Sequence, residues 1–263
     1  MNIWAFSDLH LSFGNPEKSM EVFGPAWHNY GERIKQGWLR HIHDEDLVLI
    51  PGDLSWGKNL DQALIDLEWI HALPGTKVII KGNHDHWWDS PAKMTKALPS
   101  SIHFIQNNTF EWKDVTIGGA RLWDTTEYNF KDYIEFVENP RENKQAPASL
   151  PADQEKIFVR ELQRLRLSLS AMDPNKKIRI ALTHYPPIGA DLETSRTSQI
   201  LEEFHIDLCV FGHLHSVKKR TPFFIRGRNR RVLLFYRSFA DRIKQHFFLT
   251  LLIQASIEFC KYF

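Results

Sequence analysis

The sequence predicts an α/β fold whose sheet is mixed or doubled, and three observations lead to this prediction. With 263 residues, 43% hydrophobic and 25% charged, the chain is long enough to bury a large core and too apolar for wholesale disorder. Short apolar runs alternate with segments of helical periodicity, which is typical of helices that cover sheet faces. Elsewhere, short strand-like runs follow one another without a helix between them, so the sheet is not purely parallel.

Each predicted strand is a short apolar run that ends at a polar or glycine-containing turn. These strands cover residues 2–6, 46–50, 77–80, 102–106, 109–112, 115–118, 178–183 and 206–211. The predicted helices carry apolar residues at intervals of three or four and cover residues 27–41, 59–73, 153–172 and 198–204. The polar stretch Asp124–Pro151 has little periodicity and is predicted to be a surface insertion or cap.

Composition excludes several classes of protein. The two cysteines cannot build a disulfide scaffold or a four-cysteine zinc site, which indicates a reducing compartment. The first ten residues contain no basic segment followed by a long apolar run, so we expect no signal peptide and a cytoplasmic protein. A net charge of +1 argues against a nucleic-acid partner for the whole chain, and no apolar run is a convincing membrane span.

The side chains that bind metals cluster immediately after predicted strands. Because open α/β sheets place their sites at the carboxyl ends of strands, we expect these residues to meet. Carboxylate, imidazole and amide ligands without thiolate suit Mn²⁺, Fe²⁺, Co²⁺ or Zn²⁺. Seven ligands are too many for one tetrahedral site, but they suffice for two ions that share a carboxylate about 3.5–4 Å apart. The seven candidates are Asp8, His10, Asp53, Asn83, His184, His213 and His215.

Three glycines, Gly52, Gly82 and Gly212, directly precede candidate ligands. We expect these glycines to allow positive φ where the strands turn sharply, and to let ions and phosphate approach the backbone. Each motif alone also fits an ordinary turn or a helix cap. Their conjunction, in this order and each after a strand, favours a metal site.

The ordered motifs resemble those of the calcineurin-like metallophosphoesterases. They read D-x-H at 8–10, G-D at 52–53, G-N-H-D at 82–85, a single histidine at 184 and G-H-x-H at 212–215. The amino-acid sequence at 52–56, 119–123 and 184–187 is similar to that of a bacterial phosphohydrolase subfamily with chlamydial members. The resemblance covers residues 3–215. It implies a four-layer α/β/β/α sandwich of two mixed sheets, of the metallo-dependent phosphatase type.

The resemblance also implies a role for each motif residue. One ion would be bound by Asp8, His10, Asp53 and His215, and the other by Asp53, Asn83, His184 and His213, with Asp53 bridging. A metal-bridging hydroxide would attack phosphorus in line. His84 would protonate the leaving oxygen or stabilise phosphoryl charge, and Asp85 would orient the His84 ring.

Two positions depart from the family pattern. Trp56 stands where many relatives have a second aspartate after G-D, and Lys81 stands where the protein phosphatases carry arginine. Both departures argue against a phosphoprotein phosphatase, which clamps phosphate with arginine. We take Lys81 and Arg121 as candidate substrate-binding residues. The alternative, solvated surface charge, is at least as well supported for Lys81 and equally supported for Arg121.

The last 48 residues differ in charge from the rest of the chain. Residues 216–263 contain eleven Lys or Arg and two acidic residues, whereas residues 1–215 are acidic by eight charges. We therefore predict a metallophosphoesterase domain at 1–215 and an atypical basic and aromatic tail at 216–263 in place of the usual closing strands. The tail is a divergent closing segment, an acquired basic patch or a product of out-of-frame translation, and we favour the last. Val232–Phe239 is still able to pair as a strand.

The leading hypothesis is a metal-dependent phosphoesterase with two divalent ions that hydrolyses phosphate mono- or diesters. The expected partner is a small phosphoester, with phosphodiesters or nucleotides favoured over phosphoproteins. Mn²⁺ is the favoured ion, with Fe, Zn, Co or Ni as alternatives. One alternative function is a nuclease-like phosphodiesterase acting on nucleic acid, and another is a non-catalytic scaffold with the same fold. The presence of all seven ligand positions and His84 argues against the scaffold.

Overall fold

Two β-sheets form the centre of the protein. The computed structural model describes residues 1–134 and 151–215, together with three short strands between 225 and 251. The first sheet contains four parallel strands and one antiparallel edge strand: β1 (Ile3–Ala5), β2 (Leu47–Ile50), β3 (Thr76–Ile79), β4 (Ile102–Phe104) and, beside β1, β11 (Thr250–Leu251). This mixture of directions is the one that the sequence predicts.

The second sheet has the order β5-β6-β7-β8-β10-β9. Its strands are β5 (Phe110–Trp112), β6 (Val115–Ala120), β7 (Ile178–Thr183), β8 (Leu208–Phe211), β9 (Ile225–Arg226) and β10 (Leu233–Tyr236). The four central strands, β6, β7, β8 and β10, are parallel, whereas β5 and β9 are antiparallel at the two edges.

Within the described residues, five α-helices cover the sheets: α1 (Tyr30–His41), α2 (Leu60–His71), α3 (Pro91–Ala97), α4 (Pro151–Ser170) and α5 (Arg196–Glu203). Helix α2 begins where the Asn59 side chain accepts a hydrogen bond from the Gln62 amide, and α5 begins at a capping box formed by Ser195 and Ser198. Helix α3 was not predicted. Its proline at the first helical position, after Ser90, is the sequence signal that indicates it.

Alternate residues of each central strand face different cores. In β2, Val48 and Ile50 pack under α1 and α2, whereas Leu47 and Leu49 face the second sheet, since successive side chains of a strand point to opposite sides. Ile180 and Leu182 of β7 face the first sheet in the same central core. A third core lies between the second sheet and helices α4 and α5. The predicted four-layer α/β/β/α sandwich is therefore confirmed.

Short strands from the last 48 residues extend both sheets. Leu233–Tyr236, inside the segment predicted to pair, runs parallel to β8 with Leu234 opposite Cys209. The remainder of 216–263, and with it the hypothesis of out-of-frame translation, lies outside the described residues, as does 135–150 of the predicted cap. Among the helices that are described, none combines the length and apolar character required to cross a bilayer.

Candidate metal centre

All seven candidate ligands lie at one end of the sandwich. Asp8, His10, Asp53 and Asn83 follow β1, β2 and β3 of the first sheet, and His184, His213 and His215 follow β7 and β8 of the second. Because these strands are parallel within each sheet, their carboxyl ends deliver the side chains to the same edge. The structure thus brings together the residues that the sequence predicts, from both sheets.

Non-glycine residues at the site adopt backbone conformations that are rare elsewhere. The φ angles of Asp8, His10, Asp53 and His213 are 59°, 47°, 53° and 73°. Asp and His are among the side chains that enter this left-handed region most readily, and such strain clusters at functional sites. Hydrogen bonds between the two loops after β1 and β2 hold these conformations, with Asp8 N donating to Gly52 O at 3.1 Å and His10 N to Asp53 O at 2.9 Å.

The expectation that all three glycines provide positive φ is only partly correct. Gly52 has φ 96°, but Gly82 and Gly212 do not have positive φ. These two are required by close approach instead: a Cβ on Gly82 would lie 2.7 Å from Cγ of Asp53, and one on Gly212 would lie 2.7 Å from Oδ2 of Asp8.

The first group of ligand atoms is compact. The four side chains Asp8, His10, Asp53 and His215 each offer one atom within 4.8 Å of the others. Nε2 of His215 lies 3.2 Å from Oδ1 of Asp8 and 3.3 Å from Nε2 of His10, and Nε2 of His10 lies 3.8 Å from Oδ2 of Asp53. Ligand atoms that each lie about 2.0–2.2 Å from the same ion are separated from one another by distances similar to those found here.

The second group surrounds Asn83 and His184. Oδ1 of Asn83 lies 2.6 Å from Nε2 of His184 and 3.1 Å from Nδ1 of His213. Nε2 of His184 is also 3.4 Å from Oδ2 of Asp53. Nδ1 of His184 meets the carbonyl oxygen of Pro51 at 2.9 Å, which fixes the ring so that Nε2 faces the other ligands.

Asp53 lies between the two groups and provides a test of whether ions fit. Its Oδ1 accepts a hydrogen bond from the amide of His84 at 2.9 Å. Its Oδ2 is buried and accepts no hydrogen bond among the described residues, although it is near His10 and His184. A buried carboxylate oxygen without a hydrogen-bond donor is costly unless a positive charge neutralises it, and that charge is either a metal ion or the protonated ring of His184, 3.4 Å away. The donor set and this oxygen therefore fit two divalent ions with Asp53 shared.

The protonation states of the histidines differ within the site. Burial lowers the pKa of His10 and of His213 to about 3, so both rings are neutral near pH 7. Burial opposes protonation of His184 too, but the carboxylates of Asp53 and Asp8 and the carbonyl of Pro51 together outweigh it and raise the pKa of His184 to about 9. Asp8 raises the pKa of His215 in the same way. Because only neutral imidazole binds a metal, ion binding near pH 7 must displace the proton of His184, and the raised pKa of His215 opposes ion binding in the same direction.

Asp85 does not have the position expected of a residue that orients His84. Its Oδ2 accepts hydrogen bonds from the amides of Asp53 and Gly82, both at 2.8 Å. Its Oδ1 accepts three more, from the amides of Leu54 and Ser55 at 2.9 and 3.2 Å and from the indole of Trp87 at 3.0 Å. The carboxylate is fully buried and is used by backbone donors rather than by the His84 ring. We therefore reinterpret Asp85 as the group that joins the Asp53 and Gly82 loops.

His84 is partly buried and lies beside the ligand groups. Its ring centroid is 4.6 Å from that of Trp56 and 5.7 Å from that of His10, and its ring nitrogens form no hydrogen bond with the residues that the structure describes. Burial lowers the pKa of His84, and the neighbouring imidazoles add to this shift. The neutral ring still has one N–H to donate.

Two supporting residues were missed by the sequence analysis. The buried hydroxyl of Ser7 donates to Oδ2 of Asp8. Asp66 on α2 accepts a hydrogen bond from the Phe13 amide at 2.8 Å and another from the Ser55 hydroxyl, which fastens the loops after β1 and β2 to the helix. A carboxylate on the same helical face as Ala63, Leu67 and Ile70 is the signal that indicates Asp66.

Comparison with known proteins agrees with this geometry. The family model for calcineurin-like phosphoesterases (Metallophos) matches residues 1–217. The chain belongs to the calcineurin-like phosphoesterase family. The phosphopantetheinyl hydrolase of Mycobacterium tuberculosis superposes with a TM-score of 0.52 over 97% of this chain and 96% of that one, at 13% identity. At that identity the similarity shows the fold alone.

Two phage proteins are similar to part of the chain. They are the Gene 66 proteins of Mycobacterium phage D29, 34% identical over 84 residues, and of Mycobacterium phage L5, 34% identical over 86 residues. Each match covers 32% of this chain and 40% of the phage protein. The chain thus spans about two fifths of the length of these curated relatives.

Trp56, which replaces an aspartate of the calcineurin-like phosphoesterase pattern, packs against two site histidines. Its ring is stacked on His10 at a centroid distance of 5.2 Å and an interplanar angle of 21°. Together with its contact to His84, this places an aromatic wall on one side of the first ligand group. The tryptophan thus replaces the negative charge of an aspartate with an aromatic surface that restricts the rings of His10 and His84.

The backbones of Lys81 and Arg121 adjoin those of residues in the second ligand group. Lys81 precedes Gly82, and the carbonyl oxygen of Arg121 accepts hydrogen bonds from the amides of His184 and Tyr185 at 3.1 and 3.0 Å. Lys81 is partly buried, and the side chain of Arg121 is 15% exposed. The prediction that they are solvated surface charges therefore does not describe Arg121.

Proposed function

We propose that this chain is a hydrolase of small phosphate mono- or diesters that works with two divalent ions, of which Mn²⁺ is favoured. The observation that carries the proposal is the position of Oδ2 of Asp53, which is buried between two groups of ligand atoms and accepts no hydrogen bond from the described residues. Family membership supports a divalent-metal phosphoesterase, and the complete ligand set argues against a non-catalytic scaffold.

Two such ions, when bound, lower the pKa of a water molecule and offset negative charge on the phosphoryl oxygens. Asp8, His10, Asp53 and His215 would bind one ion, and Asp53, Asn83, His184 and His213 the other. The chain's contribution is rigidity. The carbonyl of Pro51 holds the ring of His184, and Asp85 holds the loop that carries Asp53. Preorganised ligands of this kind need little rearrangement during the reaction.

His84 would act on the phosphate itself. Its amide is fixed to Asp53 at 2.9 Å, its ring is confined by Trp56, and its nitrogens are not engaged by the described residues. The ring N–H is therefore available to donate to a phosphoryl oxygen or to the leaving oxygen. Stabilisation of charge is favoured over proton transfer, because burial lowers the pKa of this ring and keeps it neutral.

The test compares His84→Asn with the wild type on two diesters, one with nitrophenolate and one with an alkoxide as leaving group, in the presence of Mn²⁺. Loss of acid–base help costs about 10²–10⁴-fold in kcat. If His84 stabilises phosphoryl charge, the loss is similar for both esters; if it protonates the leaving group, the loss is much larger for the alkoxide.

The exposed neighbour His86, whose ring centroid is 6.4 Å from that of His84, supplies the matched control His86→Asn. We expect this control to retain wild-type kcat and both variants to retain two ions per chain. An unchanged kcat of His84→Asn on the alkoxide ester would refute the role of His84. A wild-type protein that hydrolyses neither ester with any divalent ion would refute the proposed function.

A further inference from the structure

A buried ion pair connects helix α4 to the segment that follows β6. Glu161 on α4 is 1% exposed, and its Oε1 accepts hydrogen bonds from Nη2 of Arg121 at 3.2 Å and from Nη1 of Arg164 at 2.8 Å. Arg121 directly follows β6, and its side chain is mostly buried. Removing one partner of a buried ion pair leaves the other charge uncompensated. The position of the Arg121 side chain therefore depends on Glu161.

Helix α4 holds Glu161 in a fixed place. Leu165 and Leu169 follow Glu161 at intervals of four residues, so all three side chains lie on one face of the helix. Both leucines are fully buried in the core between the second sheet and helices α4 and α5. On the same helix, the Ser168 hydroxyl accepts a hydrogen bond from the amide of Gly119 in β6 at 2.8 Å. Glu161 is thus part of a helix that is fastened to the strand preceding Arg121.

The main chain of Arg121 holds the loop that carries His184. Its carbonyl oxygen accepts hydrogen bonds from the amides of His184 and Tyr185 at 3.1 and 3.0 Å. The peptide unit that contains this carbonyl ends at Leu122, which is fully buried and has φ 63°. A leucine in the left-handed region is strained, and such a conformation persists only where its surroundings hold it. The contacts of the Arg121 side chain therefore stabilise the turn that presents its carbonyl to the His184 loop.

A row of aromatic rings connects the Arg121 guanidinium to His213. The guanidinium carbon lies 4.5 Å from the ring centroid of Trp123, and the Trp123 centroid lies 5.3 Å from that of Tyr185. Tyr185 in turn lies 4.0 Å from His213 and packs perpendicular to His184 at 5.5 Å. Centroid distances of this size are those of packed aromatic pairs. Arg121 is thus connected to both histidines of the second ligand group, by its carbonyl and by this row of rings.

The first ligand group is held by other contacts. The ring of His10 is stacked on that of Trp56, and the amide of His10 donates to the carbonyl oxygen of Asp53. The hydroxyl of Ser7 donates to Asp8. A change at Glu161 is therefore transmitted to the second group first.

We propose that Glu161 and Arg121 are positioning residues for the second ligand group, and that they set the affinity of the ion bound by Asn83, His184 and His213 with the shared Asp53. Arg121 then acts through its carbonyl and the neighbouring rings, and not as the substrate-binding residue that the sequence predicts. This inference rests on the proposed function for the presence of two ions, but the hold on the His184 loop is a property of the chain alone.

The first experiment measures Mn²⁺ binding by calorimetry in two backgrounds, each of which removes a ligand of one ion. His10→Ala leaves the second ion site, and Asn83→Ala leaves the first. Glu161→Leu should weaken Mn²⁺ binding about 10–100-fold in the His10→Ala background, as is typical when a group that orients a metal ligand is lost. It should leave the affinity unchanged in the Asn83→Ala background. An equal loss in both backgrounds, or no loss in the His10→Ala background, would overturn the proposal.

Two further variants accompany Glu161→Leu in this experiment. Glu161→Gln keeps an oxygen that accepts a hydrogen bond and should restore most of the affinity. Arg166→Ala is the matched control, because Arg166 lies on the same helix but pairs with Glu203. We expect this control to bind Mn²⁺ as its parent does in both backgrounds. If Glu161→Leu does not fold, Trp123→Leu takes its place, since it removes a contact of the Arg121 guanidinium at a partly buried position and leaves the ion pair intact.

The second experiment measures amide hydrogen exchange in the metal-free protein. The amides of His184 and Tyr185 donate to the Arg121 carbonyl, whereas the amide of His10 donates to that of Asp53. We expect Glu161→Leu to speed exchange at His184 and Tyr185 about 10–100-fold, as for one lost charge-assisted hydrogen bond. Exchange at His10 should keep its wild-type rate.

The two experiments separate the positioning role from the proposed function. A wild type that binds no divalent ion would refute the proposed function, and the exchange rates would then decide alone. Faster exchange confined to His184 and Tyr185 would support the positioning role. Unchanged exchange at these two amides, or an equal acceleration at His10, would overturn it.

Discussion

Replacing Asp85 by asparagine should destabilise the loops that carry the metal site without changing any of the metal ligands. The Asp85 carboxylate accepts five hydrogen bonds in a fully buried position. An asparagine side chain keeps only one accepting oxygen. If that oxygen takes the place of Oδ1, the amides of Asp53 and Gly82 lose their acceptor and face an NH₂ group instead. A buried donor without a partner costs about 1–3 kcal/mol, so we expect Asp85→Asn to destabilise the fold by about 2–6 kcal/mol.

The assay is denaturant unfolding of the metal-free protein, with Mn²⁺ binding measured on the same samples. Thermal unfolding of the same samples gives a second measurement, in which each kcal/mol corresponds to a fall in Tm of about 2–4 °C for a chain of this size. Asp44→Asn is the matched control, because Asp44 lies in an exposed turn and forms no hydrogen bond with the residues described. We expect the control to stay within about 0.5 kcal/mol of the wild type.

The result also separates the two roles considered for Asp85. If Asp85 orients the His84 ring, its replacement lowers kcat and leaves the free energy of unfolding unchanged. If Asp85 joins the loops, its replacement lowers the free energy of unfolding and weakens the binding of both ions together. An Asp85→Asn protein as stable as the wild type, with kcat reduced as in His84→Asn, would show that the hydrogen bonds of Asp85 do not have the effect described here.

Three further predictions concern the site and the core. Asp53→Asn should reduce the metal content, measured by mass spectrometry after gel filtration, because the shared negative charge is lost; two retained ions would contradict the bridging role. Gly82→Ala should weaken Mn²⁺ binding at least 10-fold, since its Cβ would lie 2.7 Å from Cγ of Asp53; unchanged calorimetric affinity would contradict this. Burial lowers the pKa of Lys77 from 10.5 to about 8, so the folded state binds fewer protons than the unfolded state between these values. The free energy of unfolding should therefore rise with pH in that window relative to Lys77→Met, and a constant difference would refute the assignment.

The architecture was predictable because local sequence determines it. The strands that precede the ligands are short and mostly apolar, and in β2 all four residues are buried. The period-2 alternation of such runs assigns one set of side chains to the outer helices and the other to the core between the sheets. The ligand residues follow directly after these strands, so their meeting at one edge follows from parallel topology alone.

The supporting contacts were not predictable, because they depend on how separate loops approach each other. Asp85 follows a ligand motif, which suggested a catalytic partner for His84, yet its hydrogen-bond donors come mainly from a loop about thirty residues earlier in the chain. Similarly, Gly212 is required by the position of Ser7 and Asp8, more than two hundred residues away in sequence. No periodicity or spacing within either segment contains that information.

Charge at the site must be considered separately from charge on the whole chain. Residues 1–215 are acidic by eight charges and residues 216–263 are basic by nine, so the acidic part of the chain alone would repel a phosphoester at long range. At physiological ionic strength, however, interactions between exposed charges are screened beyond about 8 Å. Within that distance, two divalent ions would outweigh the carboxylates of Asp8 and Asp53. An anionic substrate would therefore be attracted only close to the site. We therefore expect attraction of this range to favour small phosphoesters, which can enter the site, over extended polyanions, which must also contact the rest of the chain.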